Sequence, residues 1–356
     1  MIRVLIVDDS GFVRRMLARV LDAEPDLEVI GQGADGAEAV ALAKSLRPDV
    51  ITLDVEMPGT DGLSALKRLR AEHAGPHRPA VLMCSTLTSS GSRIAVEALR
   101  LGAAEVIAKD TARENAGAFA RELVAKVRAI AGSRRDSGAA APARHAAPPP
   151  GRLARLPRDL SMLVIGASTG GPPVLERLVR ALPETPPFAV AVAQHMPAMF
   201  TRSLAERLDE LCAVPVGMAD PGAPVRPGQV YICEGGRNTV IEGRASAARF
   251  ADAAHAGGSF CHPSVDALLT SAASVYGPRA AAVIVTGMGD DGLRGARELH
   301  RAGGSVIAQN EASSVVYGMP RAVVEAGLAH AAMDPDALAA CVSSLAAAPQ
   351  PLRRSA

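Results

Sequence analysis

Two groups of residues in this chain combine types that could carry out chemistry. The first group is acidic, because Asp8 and Asp9 follow one short apolar run and Asp54 follows another. The second group is a glycine-rich run, Gly166 to Gly171, that surrounds Ser168. Clustered carboxylates suit a divalent cation and phosphoryl transfer, whereas a serine in a tight turn suits nucleophilic attack on a carbonyl carbon. The sequence therefore offers a phosphorylation site followed by a hydrolase site.

A hydroxyl and an ammonium group at the ends of later apolar runs complete the acidic group. Ser85 follows the run Ala80 to Cys84, and Lys109 follows Glu105 to Ala108. Residues just past the carboxyl ends of parallel strands converge at one edge of an open sheet. Three carboxylates at that edge would repel one another unless a hard cation such as Mg²⁺ neutralised them. We therefore expect Asp54 to accept a phosphoryl group as an acyl phosphate, with Ser85 and Lys109 binding its oxygens.

The glycine-rich run fits the pattern Gly-x-Ser-x-Gly at the end of a predicted strand. Pro172 and Pro173 follow it and suit the first turn of a helix. Such a turn raises Ser168 above the sheet, and its backbone N–H groups can stabilise an oxyanion. A phosphate-binding or dinucleotide-binding loop is the rival interpretation. The run lacks the Lys-Ser/Thr ending of the first and the glycine spacing of the second, so we favour a serine nucleophile.

A serine nucleophile needs a base and a carboxylate that orients the base. His195 is the preferred base, because it follows an apolar run at a predicted strand end, and His262 is the reserve candidate. Asp290 and Asp291 follow another predicted strand, and either could orient the base or cap the next helix. The chain order of serine, histidine and aspartate differs from that of α/β-hydrolases, so a different fold is implied.

The elements that must position these groups are short strands alternating with segments of helical period. This alternation predicts βαβ units and two doubly wound α/β domains. We expect the first domain over residues 1–125, a helix end and flexible linker over 126–158, and the second domain over 159–350. The linker text from about Gly132 to Arg158 is rich in alanine and proline and lacks large apolar residues. The clearest predicted strands are Arg3 to Val7, Val50 to Leu53, Ala80 to Cys84, Glu105 to Ala108, Met162 to Ile165, Ala189 to Ala193, Val230 to Cys233, Ala282 to Val285 and Ser305 to Ala308.

Composition and charge exclude several classes of partner. The formal net charge is +1 and no helical segment is strongly basic, so we expect no nucleic-acid partner. The five cysteines are far apart and form no Cys-x-x-Cys pair, which indicates reduced thiols rather than a zinc site or a disulfide framework. The N-terminal apolar run is too short for a signal or transmembrane segment. We therefore expect a cytoplasmic protein with no direct membrane insertion.

The acidic motif resembles that of response-regulator receiver domains over about the first 125 residues. The residues that match the acidic pair, the phosphoacceptor, the switch hydroxyl and the lysine of that family are Asp8, Asp9, Asp54, Ser85 and Lys109. The resemblance implies a flavodoxin-like receiver fold that is phosphorylated at Asp54. It also implies a histidine kinase as the partner that supplies the phosphoryl group.

The same resemblance extends to a metal site. It implies that Mg²⁺ is bound by Asp8, Asp9, Asp54 and the backbone carbonyl of Glu56. The chain departs from the family pattern at two positions: Asp110 stands where a proline usually follows the lysine, and Val106 stands where an aromatic switch residue is usual. These departures concern how phosphorylation is read out, not the phosphoryl chemistry.

The glycine-rich motif and several later motifs resemble the chemotaxis protein-glutamate methylesterase family from about Leu160 to Ala329. The matching segments are Gly166 to Gly171, Gln194 to Pro197, Pro263 to Asp266, Thr286 to Gly292, Ile307 to Glu311 and Gly318 to Pro320. The order of receiver, linker and esterase is also that of this family. The resemblance implies a mostly parallel α/β catalytic domain.

Carried over position by position, the resemblance implies that Ser168 is the nucleophile, His195 the base and Asp291 the orienting acid. It places the backbone amide of Met288 in the oxyanion hole, with Thr169 nearby. The implied enzyme demethylates glutamate methyl esters on methyl-accepting chemoreceptors, and also deamidates receptor glutamines, without a cofactor for hydrolysis. The resemblance further implies that the unphosphorylated receiver covers Ser168 and that phosphorylation opens this arrangement.

A different class of function stays open from the residues alone. The second domain could keep the fold and use its glycine-rich loop only to dock a partner under phosphorylation control. That protein would be phosphorylated at Asp54 without any turnover that depends on Ser168. A DNA-binding output is less favoured, because the second domain lacks a basic recognition helix.

Overall fold

The structure is a computed structural model that describes residues 1–72, 78–86, 88–109, 115–139, 157, 159–253 and 262–347. The chain forms two compact units, Met1–Ala143 and Arg144–Ala356. Most of the predicted linker and Asp110 lie outside the described residues. The last helix of the first unit continues to Ala139, beyond the start of the predicted linker at Gly132.

The first unit is a five-stranded parallel sheet with helices between the strands. Its strands are β1 (Ile2–Val7), β2 (Leu27–Gly33), β3 (Val50–Asp54), β4 (Ala80–Ser85) and β5 (Glu105–Ala108). Its helices are α1 (Gly11–Leu21), α2 (Gly36–Leu46), α3 (Gly62–Glu72), α4 (Ser89–Arg100) and α5 (Ala116–Ala139). The strand order is β2-β1-β3-β4-β5, so the order reverses between β1 and β3. Ligands of open α/β sheets bind at the carboxyl ends of strands at such a reversal.

Helix caps and a helical apolar stripe explain the local structure of the first unit. Asp35 accepts hydrogen bonds from the N–H groups of Ala37 and Glu38 at 2.8 and 2.9 Å, which begins α2. Along α5, buried Phe119, Leu123, Val127 and Ile130 recur every three or four residues and pack into the core under the sheet. The sheet is buried by these elements, so its central strands are almost wholly apolar.

The second unit is built on a seven-stranded parallel sheet with a small antiparallel hairpin. Its strands are β6 (Met162–Ala167), β7 (Ala189–Gln194), β8 (Val216–Met218), β9 (Val230–Ile232), β10 (Asn238–Glu242), β11 (Arg249–Ala253), β12 (Ala280–Ile284), β13 (Ser305–Gln309) and β14 (Ala331–Met333). Its α-helices are α6 (Gly171–Arg180), α7 (Ala198–Leu211), α8 (Val265–Tyr276), α9 (Leu293–Arg301), α10 (Met319–Glu325) and α11 (Pro335–Ala347). The main sheet has the order β14-β13-β12-β6-β7-β9-β8, while β10 and β11 pair as the hairpin.

The strand order of the second unit also reverses between β6 and β12, in addition to a return from edge strand β8 to β9. The chain leaves β6 toward β7 on one side and later leaves β12 toward β13 on the other. The loop after β6 carries Ser168, and the loop after β12 carries Thr286 to Asp291. The predicted hydrolase residues therefore lie where this topology forms a crevice.

The fold class predicted from the sequence is confirmed for both units. Each is an α/β unit with a parallel main sheet, and every strand that the sequence indicated is present. Five strands were not predicted, namely β2, β8, β10, β11 and β14. The described part contains four cysteines, all of them free thiols, and its helices include none that is both long and apolar enough to cross a bilayer.

Candidate functional site

The acidic group of the first unit lies at the carboxyl ends of β1 and β3. Asp8 is fully buried, Asp54 is 4% exposed, and Asp9 is exposed. One carboxylate oxygen from each of the three residues lies within 4.8 Å of the others. Three hard oxygen donors at this spacing could bind a divalent metal ion.

Lys109 joins two of these carboxylates. Its Nζ lies 2.6 Å from Oδ2 of Asp8 and 2.7 Å from Oδ1 of Asp54, and its backbone N–H donates to the carbonyl of Ser85 at 2.8 Å. Burial lowers the pKa of Lys109, but the negative charge of Asp54 and the two hydrogen bonds outweigh burial and raise it. The ammonium group therefore stays charged and neutralises part of the acidic group.

Asp54 keeps an unfavourable charge even with Lys109 beside it. Burial raises its pKa from 3.8 to about 6, against the opposing effects of the Lys109 charge and hydrogen bond. The neighbouring Asp8 adds to the increase, while the N–H of Glu56 opposes it. This carboxylate would be stabilised by an additional cation, which agrees with a metal site in the same pocket.

The other residues that the sequence assigned to the receiver are Ser85, Glu56 and Val106. The Ser85 hydroxyl donates to the carbonyl of Thr86 at 3.1 Å. Glu56 is exposed, and its N–H lies 3.4 Å from Oδ1 of Asp54. Val106 is buried within β5, next to the strand end that carries Lys109.

Ser168 lies in a tight turn between β6 and α6. Its N–H donates to the carbonyl of Thr286 at 3.0 Å, and its carbonyl accepts from the N–H of Gly171 at 2.8 Å. Gly170 has a φ of 78°, which is the left-handed conformation that favours glycine, and α6 begins directly after it. Pro172 lies in the first turn of α6, where its missing N–H costs no hydrogen bond.

Gln194 ends β7 and connects it to the serine turn, although sequence analysis assigned no separate role to this residue. Its Nε2 donates to the carbonyl of Ser168 at 2.9 Å and to that of His195 at 3.3 Å. A Cβ atom on Gly171 would overlap the side-chain oxygen of Gln194, so only glycine at position 171 lets the Gln194 side chain lie against the serine turn. The sequence signal for this role was a glutamine at the end of an apolar run. Amide side chains are common at strand ends, so this signal alone does not identify a site residue.

His195 lies beside Ser168 on the neighbouring strand end. Ala167 pairs with Gln194 in the parallel register of β6 and β7, and the His195 N–H donates to the Ala167 carbonyl at 3.0 Å. Residues paired across adjacent strands are about 4.8 Å apart, so the backbones of Ser168 and His195 are neighbours. The imidazole is mostly buried, and its Nε2 lies 2.8 Å from Oδ2 of Asp291.

Asp291 is held by the amino end of α8 as well as by His195. Its Oδ2 accepts the N–H of Val265 at 2.8 Å, and its Oδ1 accepts the N–H of Asp266 at 2.9 Å and the hydroxyl of Ser264 at 3.2 Å. Burial alone would raise the pKa of Asp291. The hydrogen bond and charge of His195 and the two backbone N–H groups outweigh burial and lower the pKa below its usual 3.8.

The structure distinguishes the candidates that the residues alone left open. Asp290 is exposed and its carbonyl accepts the N–H of Leu293, so Asp291 is the aspartate that meets His195. His262, the reserve base, instead places its Nδ1 2.8 Å from Oδ1 of Asn238. Asn238 also accepts the N–H of Ser264 at 2.9 Å, so His262 helps to support the loop before α8.

Thr286 links three segments around the serine turn and was not singled out by the sequence. Its hydroxyl donates to the carbonyl of Thr169 at 2.8 Å and accepts the N–H of Val316 at 2.9 Å. Its own N–H donates to Oε1 of Gln309 at 2.8 Å. Because Thr286 is fully buried and its carbonyl accepts the N–H of Ser168, it fixes the position of the serine turn.

Of the two residues predicted for the oxyanion hole, Thr169 follows Ser168 in the chain and Met288 follows Gly287. Thr169 is 2% exposed, whereas Met288 lies at the surface of the β12 loop with 37% exposure. A Cβ atom on Gly287 would lie 2.7 Å from Cβ of Ser168, so the backbone before Met288 abuts the serine. A bulkier residue at position 287 would separate the two loops.

The fold and the two sites define a class of protein. A receiver sheet with an acidic pocket precedes an α/β sheet with a serine turn and a histidine-aspartate pair, which makes the chain a response regulator with a hydrolase output. Residues 4–118 match the family model for the response regulator receiver domain, and residues 163–342 match that for the CheB methylesterase. The chain therefore belongs to the CheB methylesterase family.

Individual relatives of the same family are similar to this chain over nearly its whole length. The protein-glutamate methylesterase/protein-glutamine glutaminase of Lawsonia intracellularis is 38% identical over 97% of this chain and 99% of its own length. A numbered enzyme of the same name from Myxococcus xanthus is 43% identical over 92% of this chain and 93% of its own. The crystal structure of the Thermotoga maritima CheB methylesterase catalytic domain covers 52% of this chain and 98% of its own, with 37% identity and a TM-score of 0.51.

Thr286→Val tests how the serine turn is supported. The substitution keeps the shape of the side chain but leaves the carbonyl of Thr169 and the N–H of Val316 without this hydroxyl. We expect the free energy of unfolding of the second unit to fall by about 1–3 kcal/mol, with slower ester hydrolysis. Thr52→Val is the matched control, because among the described residues the buried Thr52 hydroxyl has no hydrogen-bond partner. Equal effects of both substitutions in denaturant unfolding would contradict this role for Thr286.

Asp54→Asn tests the unfavourable charge in the acidic pocket. Because the folded pKa is raised, the folded receiver takes up a proton between about pH 4 and about pH 6, and its stability falls as pH rises through that window. In metal-free buffer above about pH 6, we expect the variant to be more stable by on the order of 2 kcal/mol, with the difference shrinking toward pH 4. Thermal unfolding at several pH values measures this. A variant that is less stable than the wild type at every pH would contradict the expectation.

Proposed function

We propose that this chain hydrolyses glutamate methyl esters on chemoreceptors, and deamidates receptor glutamines, under the control of phosphorylation at Asp54. The observation that carries the proposal is the His195-Asp291 contact of 2.8 Å directly beside the Ser168 turn. The methylesterase and glutaminase names of the relatives supply the substrate class. The proposal assigns phosphorylation to residues 1–125 and hydrolysis to residues 159–350, joined by 126–158.

The proposed roles follow from which imidazole nitrogen meets Asp291. Nε2 carries the proton that Asp291 accepts, so Nδ1 is the nitrogen that we assign to proton exchange with Ser168. This is the reverse of the nitrogen assignment in serine proteases of the trypsin type, where Nδ1 meets the aspartate. The roles of nucleophile, base and orienting acid are unaffected by the exchange of nitrogens.

The reaction proceeds in two halves. In the first, Ser168 Oγ attacks the ester carbonyl carbon and its proton passes to Nδ1 of His195, which gives a tetrahedral oxyanion. The imidazolium then returns this proton to the methoxy oxygen as the C–O bond breaks, and methanol leaves an acyl-serine. In the second half, water gives a proton to His195 and attacks the acyl carbon. His195 protonates the departing Ser168 Oγ, and the glutamic acid side chain is released and loses its proton to water as the carboxylate forms.

Two further features of the site support this chemistry. The backbone N–H groups of Thr169 and Met288 belong to loops that adjoin Ser168, and we assign them to the oxyanion. The low pKa of Asp291 keeps its carboxylate charged, so it stabilises the imidazolium that forms in each half of the reaction. For a glutamine substrate the leaving group is ammonia, and the remaining steps are the same.

The proposed switch uses the acidic pocket of the receiver. Asp8, Asp9, Asp54 and the backbone carbonyl of Glu56 would hold Mg²⁺, which neutralises charge on the pocket and on the incoming phosphoryl group. Asp54 would accept the phosphoryl group from a chemotaxis histidine kinase. Lys109 would then bind a phosphoryl oxygen instead of the free carboxylate, and Ser85 would turn from Thr86 toward the same group.

Regulation follows from coupling this switch to the esterase. Phosphorylation would shift a pre-existing equilibrium from a less active state toward a more active one. A coupling free energy of about 1–3 kcal/mol would give about 5- to 150-fold activation. The proposal places the reaction in the cytoplasm, where the kinase and the receptor glutamates would both have to meet the enzyme.

Ser168→Ala tests the nucleophile. Removal of Oγ leaves no atom for the acyl intermediate, so we expect methanol release from methylated receptor membranes to fall by at least about 1,000-fold. Ser344→Ala on the exposed face of α11 is the matched control and should release methanol at the wild-type rate. Persistence of most activity in the Ser168 variant would remove this serine from its role. A wild-type protein that takes up phosphate but releases no methanol would instead favour a binding module.

Asp54→Asn tests the switch. A small phosphodonor such as acetyl phosphate with Mg²⁺ should raise the methanol-release rate of the wild type by about 5- to 150-fold and leave the variant at its basal rate. Asp61→Asn changes an exposed aspartate of the same unit and should keep full activation. Equal stimulation of the wild type and the Asp54 variant would show that another site or mechanism carries the response.

A further inference from the structure

Asp266 lies in the first turn of α8 and contacts both Asp291 and the residues that follow Asp291. Its backbone N–H donates to Oδ1 of Asp291 at 2.9 Å. Its side-chain Oδ1 accepts the N–H of Gly292 at 3.0 Å and that of Gly295 at 2.7 Å. Gly292 directly follows Asp291 in the chain, so Asp266 holds the peptide unit on which Asp291 is mounted.

These contacts form a reciprocal pair of helix caps. The carboxylate of Asp291 accepts the first two N–H groups of α8, Val265 and Asp266, while the carboxylate of Asp266 accepts N–H groups from the amino end of α9. The Asp291 side chain therefore caps α8, the helix that contains Asp266. The Asp266 side chain caps α9, the helix that follows Asp291. The ring of hydrogen bonds restrains the Asp291 carboxylate more strongly than either cap would alone.

Two glycines allow the helix ends to approach closely enough for this exchange. A Cβ atom on Gly295 would lie 2.5 Å from Cβ of Leu269 and 2.9 Å from the Asp266 carbonyl oxygen. Gly292 has a φ of 103°, in the left-handed region, and a Cβ atom there would lie 3.0 Å from a methyl group of Val265. Glycine, the smallest residue, therefore stands at both positions of the α9 amino end that donate an N–H group to the Asp266 carboxylate and lie against α8.

Burial and mutual repulsion affect the pKa values of the two carboxyl groups differently. Burial raises the pKa of Asp266 and the charge of Asp291 adds to this, against the opposing effects of Gly295, Arg294 and Gly292. The pKa of Asp291 is instead lowered, because His195 and the α8 amides favour its charged form. The arrangement thereby keeps the catalytic partner of His195 ionised.

We propose that Asp266 is a positioning residue for ester hydrolysis: it fixes the turn that carries Asp291 and, through Asp291, the orientation of the His195 imidazole. This inference rests on the proposed function of Ser168, His195 and Asp291. The Asp266 side chain contacts the N–H groups of Gly292 and Gly295, so it acts on the site through the turn that carries Asp291. Loss of its side chain should therefore lower kcat and leave KM nearly unchanged.

Kinetics of four full-length variants test the proposal. Asp266→Ala removes both caps to α9, and we expect kcat for methanol release to fall about 10- to 100-fold with KM within about twofold. Asp266→Asn should restore kcat to within about threefold, because one oxygen accepts both N–H groups in the wild type and the amide oxygen can do the same. Asp266→Glu keeps the charge but displaces the carboxylate by one methylene, and should be impaired like Asp266→Ala. It also serves in place of that variant if Asp266→Ala does not fold.

The fourth variant is a matched control for the loss of a helix cap. Asp334 accepts the N–H of Ala337 at 2.9 Å at the start of α11, and it is exposed. Asp334→Ala should lower the midpoint of thermal unfolding, as any lost cap does, but leave kcat unchanged. A comparable loss of kcat in this control would show that the effect at Asp266 comes from general destabilisation of the protein, and would overturn the proposal.

A spectroscopic measurement separates positioning from turnover. The Nε2 proton between His195 and Asp291 should give a low-field ¹H NMR signal in the wild type and in Asp266→Asn, and this signal should be lost or shifted in Asp266→Ala and Asp266→Glu. Wild-type kcat in Asp266→Ala, or an Asn variant as impaired as the Ala variant, would overturn the proposal. An unchanged signal in folded Asp266→Ala would do the same. A wild-type protein without methanol release would refute the proposed function, while the NMR signal would still test the positioning role.

Discussion

The proposed esterase site depends on stabilising the buried negative charge of Asp291. A carboxylate removed from water carries a large desolvation penalty unless hydrogen-bond donors replace the water. Here three kinds of donor replace it, namely the imidazole of His195, the first N–H groups of α8 and the Ser264 hydroxyl. The amino end of a helix adds its partial positive charge at the same point. The position of α8 is therefore as important to the site as the strands that carry the reacting groups.

Small residues make this placement of α8 possible. A Cβ atom on Gly166, within β6, would lie 2.5 Å from a methyl group of Val265 at the start of α8. Gly287 and Gly171 play the same part toward Ser168 and Gln194. With only 3% aromatic residues in the chain, the core is filled by short aliphatic side chains that allow strands and helices to approach closely. The glycines near Ser168 thus serve packing at least as much as access for a substrate.

The sequence predicted the elements that carry chemistry better than those that do not. Buried parallel strands such as β6 and β12 are continuous apolar runs, so their ends and the groups after them could be located. The hairpin strands β10 and β11 have five residues each and lack a continuous apolar run, and edge strand β14 has only three residues, so none of them was predicted. Strand β2 was missed for a similar reason, because its burial is partial along most of its length.

The site residues found only in the structure act through backbone groups. Thr286 and Gln194 are ordinary polar residues at strand ends, and their importance comes from the carbonyl and N–H groups that they bind across the fold. No spacing rule connects Asp266 with Gly292 and Gly295, which lie at the amino end of another helix. Catalytic side chains repeat in recognisable motifs, whereas the contacts that orient them depend on how distant segments pack. Sequence reasoning therefore identifies the reacting groups before it identifies their supports.

Asp54 and Asp291 show how two strand-end carboxylates acquire opposite properties. Both are largely buried, yet the pKa of Asp54 is raised to about 6 and that of Asp291 is lowered. Asp291 accepts a complete set of hydrogen bonds from the protein, so its charge is satisfied in the resting state. Asp54 has Lys109 and a long contact from the Glu56 N–H, next to a second buried carboxylate, so its charge is only partly compensated. Under the proposed function, a carboxylate that orients an imidazole throughout a reaction needs the first environment. A carboxylate that is to be stabilised by an arriving cation and phosphoryl group needs the second, because its uncompensated charge would make the pocket respond to them.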